Sequence, residues 1–133
     1  MIHSFHIWQL VAVGLGGSLG AMARFLVSNQ MYTWLGRDFA WGTLTVNVLG
    51  AFIIGLLTIL MIDKVQLSVE MRSFLIVGFL GAFTTFSTFS FETYSFLQTG
   101  DVTKAMINIV VSVLSGLVAV WLGILAGKHF FSP

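Results

Sequence analysis

Four apolar runs alternate with short polar gaps along this chain. Residues 7–23, 39–62, 73–91 and 105–127 contain no Asp, Glu, Lys or Arg. Each approaches or exceeds the roughly 20 mainly apolar residues that a helix needs to cross a bilayer. The pattern predicts membrane helices over about 7–31, 41–62, 71–97 and 103–128, within one transmembrane domain spanning 1–133. The third run differs from the others. Some 27 residues at ~1.5 Å each reach about 40 Å, which exceeds the ~30 Å hydrocarbon core. Its middle, GFLGAFTTFSTFSFE over 78–92, carries five hydroxyls (Thr84, Thr85, Ser87, Thr88, Ser90), two glycines and a carboxylate. The excess length and the Gly78, Gly81 and Thr84-Thr85 positions predict a break near 81–86. Unwound backbone survives inside a membrane only when it is buried or lines a cavity. Carbonyls freed by such a break can hold a small cation.

Composition supports this class. The chain is 57% hydrophobic and 8% charged, against roughly 25% charged residues in soluble domains. A net charge of +1 leaves no basic surface for nucleic acid. The absence of cysteine excludes disulfides and thiolate metal sites. His3 and His6 sit at a terminus with no nucleophile–base pair or metal cluster in view, so no enzyme is expected. Residues 7–20 followed by Ala21-Met22-Ala23 resemble a cleavable leader, but MIHSFH has no Lys or Arg, and the segment is expected to stay as the first span.

Polar positions within the runs are the candidates for chemistry. GLGGSLGAMARF in the first run contains Gly16 and Gly20 as GxxxG, a surface for close helix packing. Arg24 follows 17 uncharged residues, toward the far end of the first helix. There it either snorkels to the headgroups or stands as a fixed positive charge at a vestibule. Tyr32, Trp34 and Trp41 suit the interfacial aromatic belt, and the first loop shows no chemistry. Thr43 and Asn47 are four apart and share a helix face. Asn47 in hydrocarbon needs partners; it either bonds between helices or lines a polar path, its amide donating to an anion. Asn108, Ser112 and Ser115 bring polar groups to the fourth run, where serines can also bond back within their own helix.

Four spans place both termini on one side. Lys64, Arg72 and Lys128 fall there, against Arg37 and Lys104 on the other side, with Arg24 added if it reaches the interface. The positive-inside rule orients a chain through an excess of Lys and Arg on the cytoplasmic side. With almost no excess, the chain is expected to insert both ways and to pair as an antiparallel dual-topology homodimer.

Three segments, GGSLGAMARF (16–25), GTLTVN (42–47) and GFLGAFTTFSTFSFET (78–93), resemble the Fluc, or CrcB, fluoride channels of bacteria. They lie in the same order and cover the first three helices. The fourth matches mainly in polarity and length. Phe25 stands where many relatives have tyrosine, and Ala82 where many have a second glycine. The resemblance implies an all-α, four-helix membrane protein with a broken third helix, multi-pass in the bacterial inner membrane. It implies an antiparallel dimer with two fluoride pores. It also implies a central structural Na+ on the Gly81 and Thr84 carbonyls. It assigns the pore phenylalanines to Phe86 and Phe89, the pore asparagine to Asn47 and the vestibule arginine to Arg24. The hydroxyl track would include Thr43, Thr88 and Ser112, and the polar-track glutamate would be Glu92. A further hydroxyl of the fourth helix falls on Gly116 or Ser115.

The chemistry of these residue types suits a small anion. Fluoride holds its water tightly, and burying an isolated ion costs many kcal/mol, so a pore must offer replacement donors. Asn and Thr/Ser side chains and freed backbone N–H groups do this, and aromatic rings present a positive edge. On spacing alone, Phe86 and Phe89 also fit lipid-facing or packing positions. A full charge deep in a pore would bind too tightly for conduction. Glu92 would repel fluoride when ionised and donate a hydrogen bond when protonated. The alternative function is a small dual-topology, proton-coupled exporter with Glu92 as the coupling acid. Arg24 and the hydroxyl run suit an anion better than a greasy cation. Prediction: tags on either terminus are found on both sides of the membrane in accessibility labelling. Labelling from one side only would exclude dual topology.

Overall fold

The computed structural model describes residues 6–63 and 65–131. His3 and the Lys64 of the charge tally lie outside them. Among the described residues all regular structure is helical. Helix α1 covers Ile7–Leu35 and α2 covers Trp41–Asp63. The third span, Val69–Gln98, is broken into two. Its first part, α3 (69–83), starts as an α-helix over Val69–Arg72, widens into a π-helix over Ser73–Leu80 and closes with Gly81–Phe83. Its second part, α4, is Phe86–Gln98. Helix α5 is Val102–Phe131. Among the described residues four helical stretches are therefore long and apolar enough to cross a membrane, the third of them interrupted.

Local chemistry sets the helix ends. Gly36 and Gly100 take positive φ, 85° and 81°, where a Cβ would be strained. The Gly36 N–H bonds the Tyr32 carbonyl at 3.0 Å, closing α1. Asp101 starts α5, with its Oδ1 accepting from the Lys104 N–H at 3.1 Å. That backbone bond, helped by the Lys104 ammonium, holds the Asp101 carboxyl below its usual range. Helix α1 runs four residues past the predicted end. This corrects the place of Arg24: it lies eleven residues before Leu35, about 16 Å along the axis, not near the helix end.

The spans pack through small residues. Helix α1 lies along the π segment, and α2 lies along α5. A Cβ added at Gly16 would collide with the Phe74 carbonyl, and one at Gly20 with the Phe79 carbonyl. One at Gly78 would sit 2.7 Å from the Val13 carbonyl. Across the other pair, Gly123 faces the Phe52 carbonyl and Gly55 the Val120 carbonyl. Backbones at this separation gain dispersion contacts that lipid tails cannot match. The large apolar side chains point outward instead, Trp8, Phe25, Trp121 and Phe130 among them. Prediction: Gly16→Ala and Gly20→Ala each lower stability in detergent by about 1–3 kcal/mol. Gly14→Ala, with nothing within 4 Å of its added methyl, stays within about 0.5 kcal/mol. Equal melting of all three variants would contradict this packing.

Candidate functional site

The break is two residues wide. Thr84 (φ −87°, ψ 157°) and Thr85 (φ −151°, ψ 118°) are extended between two helices. No proline is involved. Instead, a β-branched pair meets a cap: the Thr85 hydroxyl accepts from the Thr88 N–H at 3.2 Å and so starts α4. The Thr85 N–H bonds Asn47 Oδ1 at 2.7 Å rather than the Gly81 carbonyl, its partner in a continuous helix. Asn47 Nδ2 returns the bond, donating to the Thr85 carbonyl at 3.0 Å. The Asn47 amide thus splints the interruption from α2. Asn47 forms the expected bond between helices, and it also stands in the wall of the groove beside the break. Nδ2 carries two hydrogens, so one is left over for another acceptor.

Three adjoining grooves, with mainly apolar walls interrupted by polar groups, lead from the break toward the α1–α2 loop. A groove of about 400 Å³ borders the break, with Asn47, Gly81, Thr84, Thr85 and Phe86 in its wall. A second, about 320 Å³, contains Arg24, Ser28, Tyr32, Thr43, Thr85 and Thr88. A third, about 360 Å³, contains Tyr32, Arg37, Thr88, Glu92 and Ser95. Each shares residues with the next: Thr85 links the first two, Tyr32 and Thr88 the last two. Between the second and third stands Glu92. Its Oε1 accepts from the Thr43 hydroxyl and its Oε2, more loosely at 3.4 Å, from the Tyr32 hydroxyl. Among the described residues, every buried side-chain N or O atom has a hydrogen-bond partner.

The predicted site residues are not all brought together. Arg24, Thr43, Asn47, Thr88 and Glu92 line this course or bond along it. Gly81 and Thr84 flank the break groove. Phe86 and Phe89 occupy the first turn of α4, ring centroids 5.5 Å apart and tilted by 44°. Phe86 is 79% exposed at the groove edge. Ser112 is absent from all three grooves; its hydroxyl bonds Asn108 Oδ1 at 3.3 Å. Buried Asn108 in turn donates to the Thr93 hydroxyl at 2.9 Å, tying α5 to α4. Ser115 bonds back to the Val111 carbonyl, and Thr84 and Ser90 to Leu80 and Phe86. Of the five hydroxyls in the central stretch, only Thr85, Ser87 and Thr88 bond one another.

The sequence marks Thr85 as a break residue without its capping role, and gives Tyr32 and Arg37 no place in the site. Tyr32 looked like a belt aromatic, yet it bonds Glu92. The signal was present: Arg24, Ser28 and Tyr32 are spaced by four and form one stripe on α1. Among the described residues no group of three or more His, Asp or Glu stands together as metal ligands. A cation here would need backbone oxygens, and the Gly81 carbonyl, relieved of its helical N–H partner, is one.

Residues 11–124 match the model of the family described as CrcB-like protein, Camphor Resistance (CrcB). The chain belongs to the CrcB family. It is 78% identical over 132 residues to a protein of Hydrogenovibrio crunogenus named "Fluoride-specific ion channel FluC", covering 99% of this chain and 100% of that one. A relative of the same name from Magnetococcus marinus is 48% identical over 120 residues, 90% of this chain and 98% of its own. One from Methylococcus capsulatus is 50% identical over 121 residues, 91% of this chain but 53% of its own. With its four apolar spans, this CrcB chain is a multi-pass membrane protein. Prediction: Asn47→Ala leaves the Thr85 N–H and carbonyl unpaired at the CrcB chain's break and costs about 1–3 kcal/mol of stability. Ser18→Ala, which removes only a bond to the Gly14 carbonyl of the same helix, costs under about 0.5 kcal/mol. Thermal melting in detergent compares the two. No difference between them would contradict the splint.

Proposed function

We propose that this chain forms a fluoride-selective channel through which fluoride leaves the cell passively. The observation that carries the reading is the end-to-end 78% identity to a relative named as a fluoride-specific channel. The course beside the break supports it physically. The hydroxyls of Thr43 and Tyr32 donate to Glu92 and that of Thr85 to Thr88, which leaves the Thr88 O–H and the second Nδ2 hydrogen of Asn47 to donate to an anion. A hydrated anion can exchange water for these donors stepwise, the multi-site binding that passage requires. The positive edges of Phe86 and Phe89 add weak attraction without a full charge. Arg24, about 16 Å inside the end of α1, supplies a positive potential that disfavours cations.

The functional unit of this proposal is an antiparallel homodimer with two pores. The near-even Lys and Arg tally supports it, as does Phe86, exposed at the edge of the break groove. A structural Na+ between the two breaks would sit on the Gly81 and Thr84 carbonyls, oxygen ligands of the kind hard cations prefer. Bound there, it would supply fixed positive charge to anions nearby and would not be transported. The Glu92 arrangement argues against a coupled exporter, because both carboxyl oxygens accept hydroxyls of neighbouring helices.

The deciding experiment is ion efflux from liposomes that contain only this protein. Fluoride release above protein-free vesicles, without chloride release, is expected. Equal chloride release would end the selectivity claim, and no fluoride release would end the channel reading. Prediction: replacing Na+ by a large organic cation on both faces lowers fluoride flux, and in separate vesicles loaded with Na+ the tracer Na+ stays inside. Sodium flux through the protein would refute a structural role.

A further inference from the structure

Arg37 lies in the loop between α1 and α2, and nothing above gives it a task. Its guanidinium stands over the Tyr32 ring, 5.1 Å from the centroid. It lines the same groove as Tyr32, Thr88, Glu92 and Ser95. This groove shares Tyr32 and Thr88 with the one that holds Arg24. Arg24 is eleven residues inside the end of α1, and Arg37 is two residues beyond it. Two positive charges therefore stand along one course, with Glu92 between them.

That order addresses a physical difficulty of the channel reading. A carboxylate beside an anion path repels the ion that must pass it. A single inner arginine does not help an anion still outside Glu92. A second positive charge on the outer side does. Arg37 is available for this. Among the described residues the one ion pair is Lys104–Asp101, so Arg37 is neutralised by neither Glu92 nor Asp38. Both oxygens of Glu92 accept hydroxyls instead. Stacking on Tyr32 fixes the guanidinium over an aromatic face in the groove wall, whereas a snorkelling arginine extends away toward headgroups.

We propose that Arg37, held over Tyr32, is an anion-recruiting site at the outer mouth of the path. It draws a small hydrated halide into the groove beside Ser95 and Thr88 and offsets Glu92 until the ion reaches Arg24. The proposal rests on the channel reading. Its action is electrostatic, so it is screened by salt: the Debye length is about 30 Å at 0.01 M and about 3 Å at 1 M.

The test is the initial rate of fluoride efflux from liposomes at about 0.01 M and about 1 M of an impermeant salt. At low salt, Arg37→Gln is expected to slow efflux about threefold and Arg37→Glu about tenfold, while Arg37→Lys stays near wild type. At high salt all four proteins should agree within about 1.5-fold. Wild-type rates for Arg37→Gln and Arg37→Glu at low salt would overturn the proposal. Deficits equal at both salts, or an Arg37→Lys as slow as Arg37→Gln, would overturn it too. They would mean that Arg37 braces the loop or holds a lipid phosphate. A silent wild-type protein is a different result, because it ends the channel reading itself.

Discussion

In a bilayer, an interrupted helix leaves N–H and C=O groups with no water to satisfy them. The third span tolerates its interruption because one side chain, Asn47 of α2, takes both the N–H and the carbonyl of Thr85. Much of the candidate site depends on this contact. It directs the Thr85 N–H away from the Gly81 carbonyl. It holds Thr85 extended, so that its hydroxyl caps α4 and meets Thr88. It sets the direction in which α4 leaves the break, and so the places of Phe86, Phe89 and Glu92. The glycine contacts serve the same end. Gly16, Gly20 and Gly78 bring α1 against α3 closely enough for Arg24 and Tyr32 to reach the course beside the break.

In the proposed channel, charge beyond the break is divided among Arg24, Glu92 and Arg37. The path's free neutral donors are the Thr88 hydroxyl and the second Nδ2 hydrogen of Asn47. The one carboxylate on it is held by two hydroxyls and flanked by two arginines. Weak, successive binding is what conduction requires. An intramembrane charge tolerated in this way points to function rather than to stability.

The architecture was readable because membrane physics is strict. Four charge-free runs predict four spans, and an overlong third run rich in Gly and Thr predicts a break; the extended Thr84 and Thr85 fall within the predicted 81–86. The π winding over Ser73–Leu80 was not readable, since hydrophobic periodicity does not separate it from an α-helix in so uniformly apolar a run. Thr43 and Asn47 were found through their shared face, but the partner of Asn47 is backbone, and backbone carries no sequence signal. Tyr32 and Arg37 were hidden by composition: an aromatic and an arginine at a membrane edge look like interfacial anchors, and only the fold shows them beside Glu92. Ser112 was assigned by resemblance, yet its hydroxyl goes to Asn108 on its own helix. Spacing by four made that bond foreseeable.

The Asn47 splint is the contact on which the break depends, and backbone amide exchange at Thr85, with the protein in a lipid nanodisc, probes it. A protected Thr85 amide is expected in the wild type. In Asn47→Ala its exchange should be at least about tenfold faster, with the α1 and α5 amides unchanged. A Thr85 amide that exchanges freely in the wild type, or one indifferent to the loss of Asn47, would contradict it.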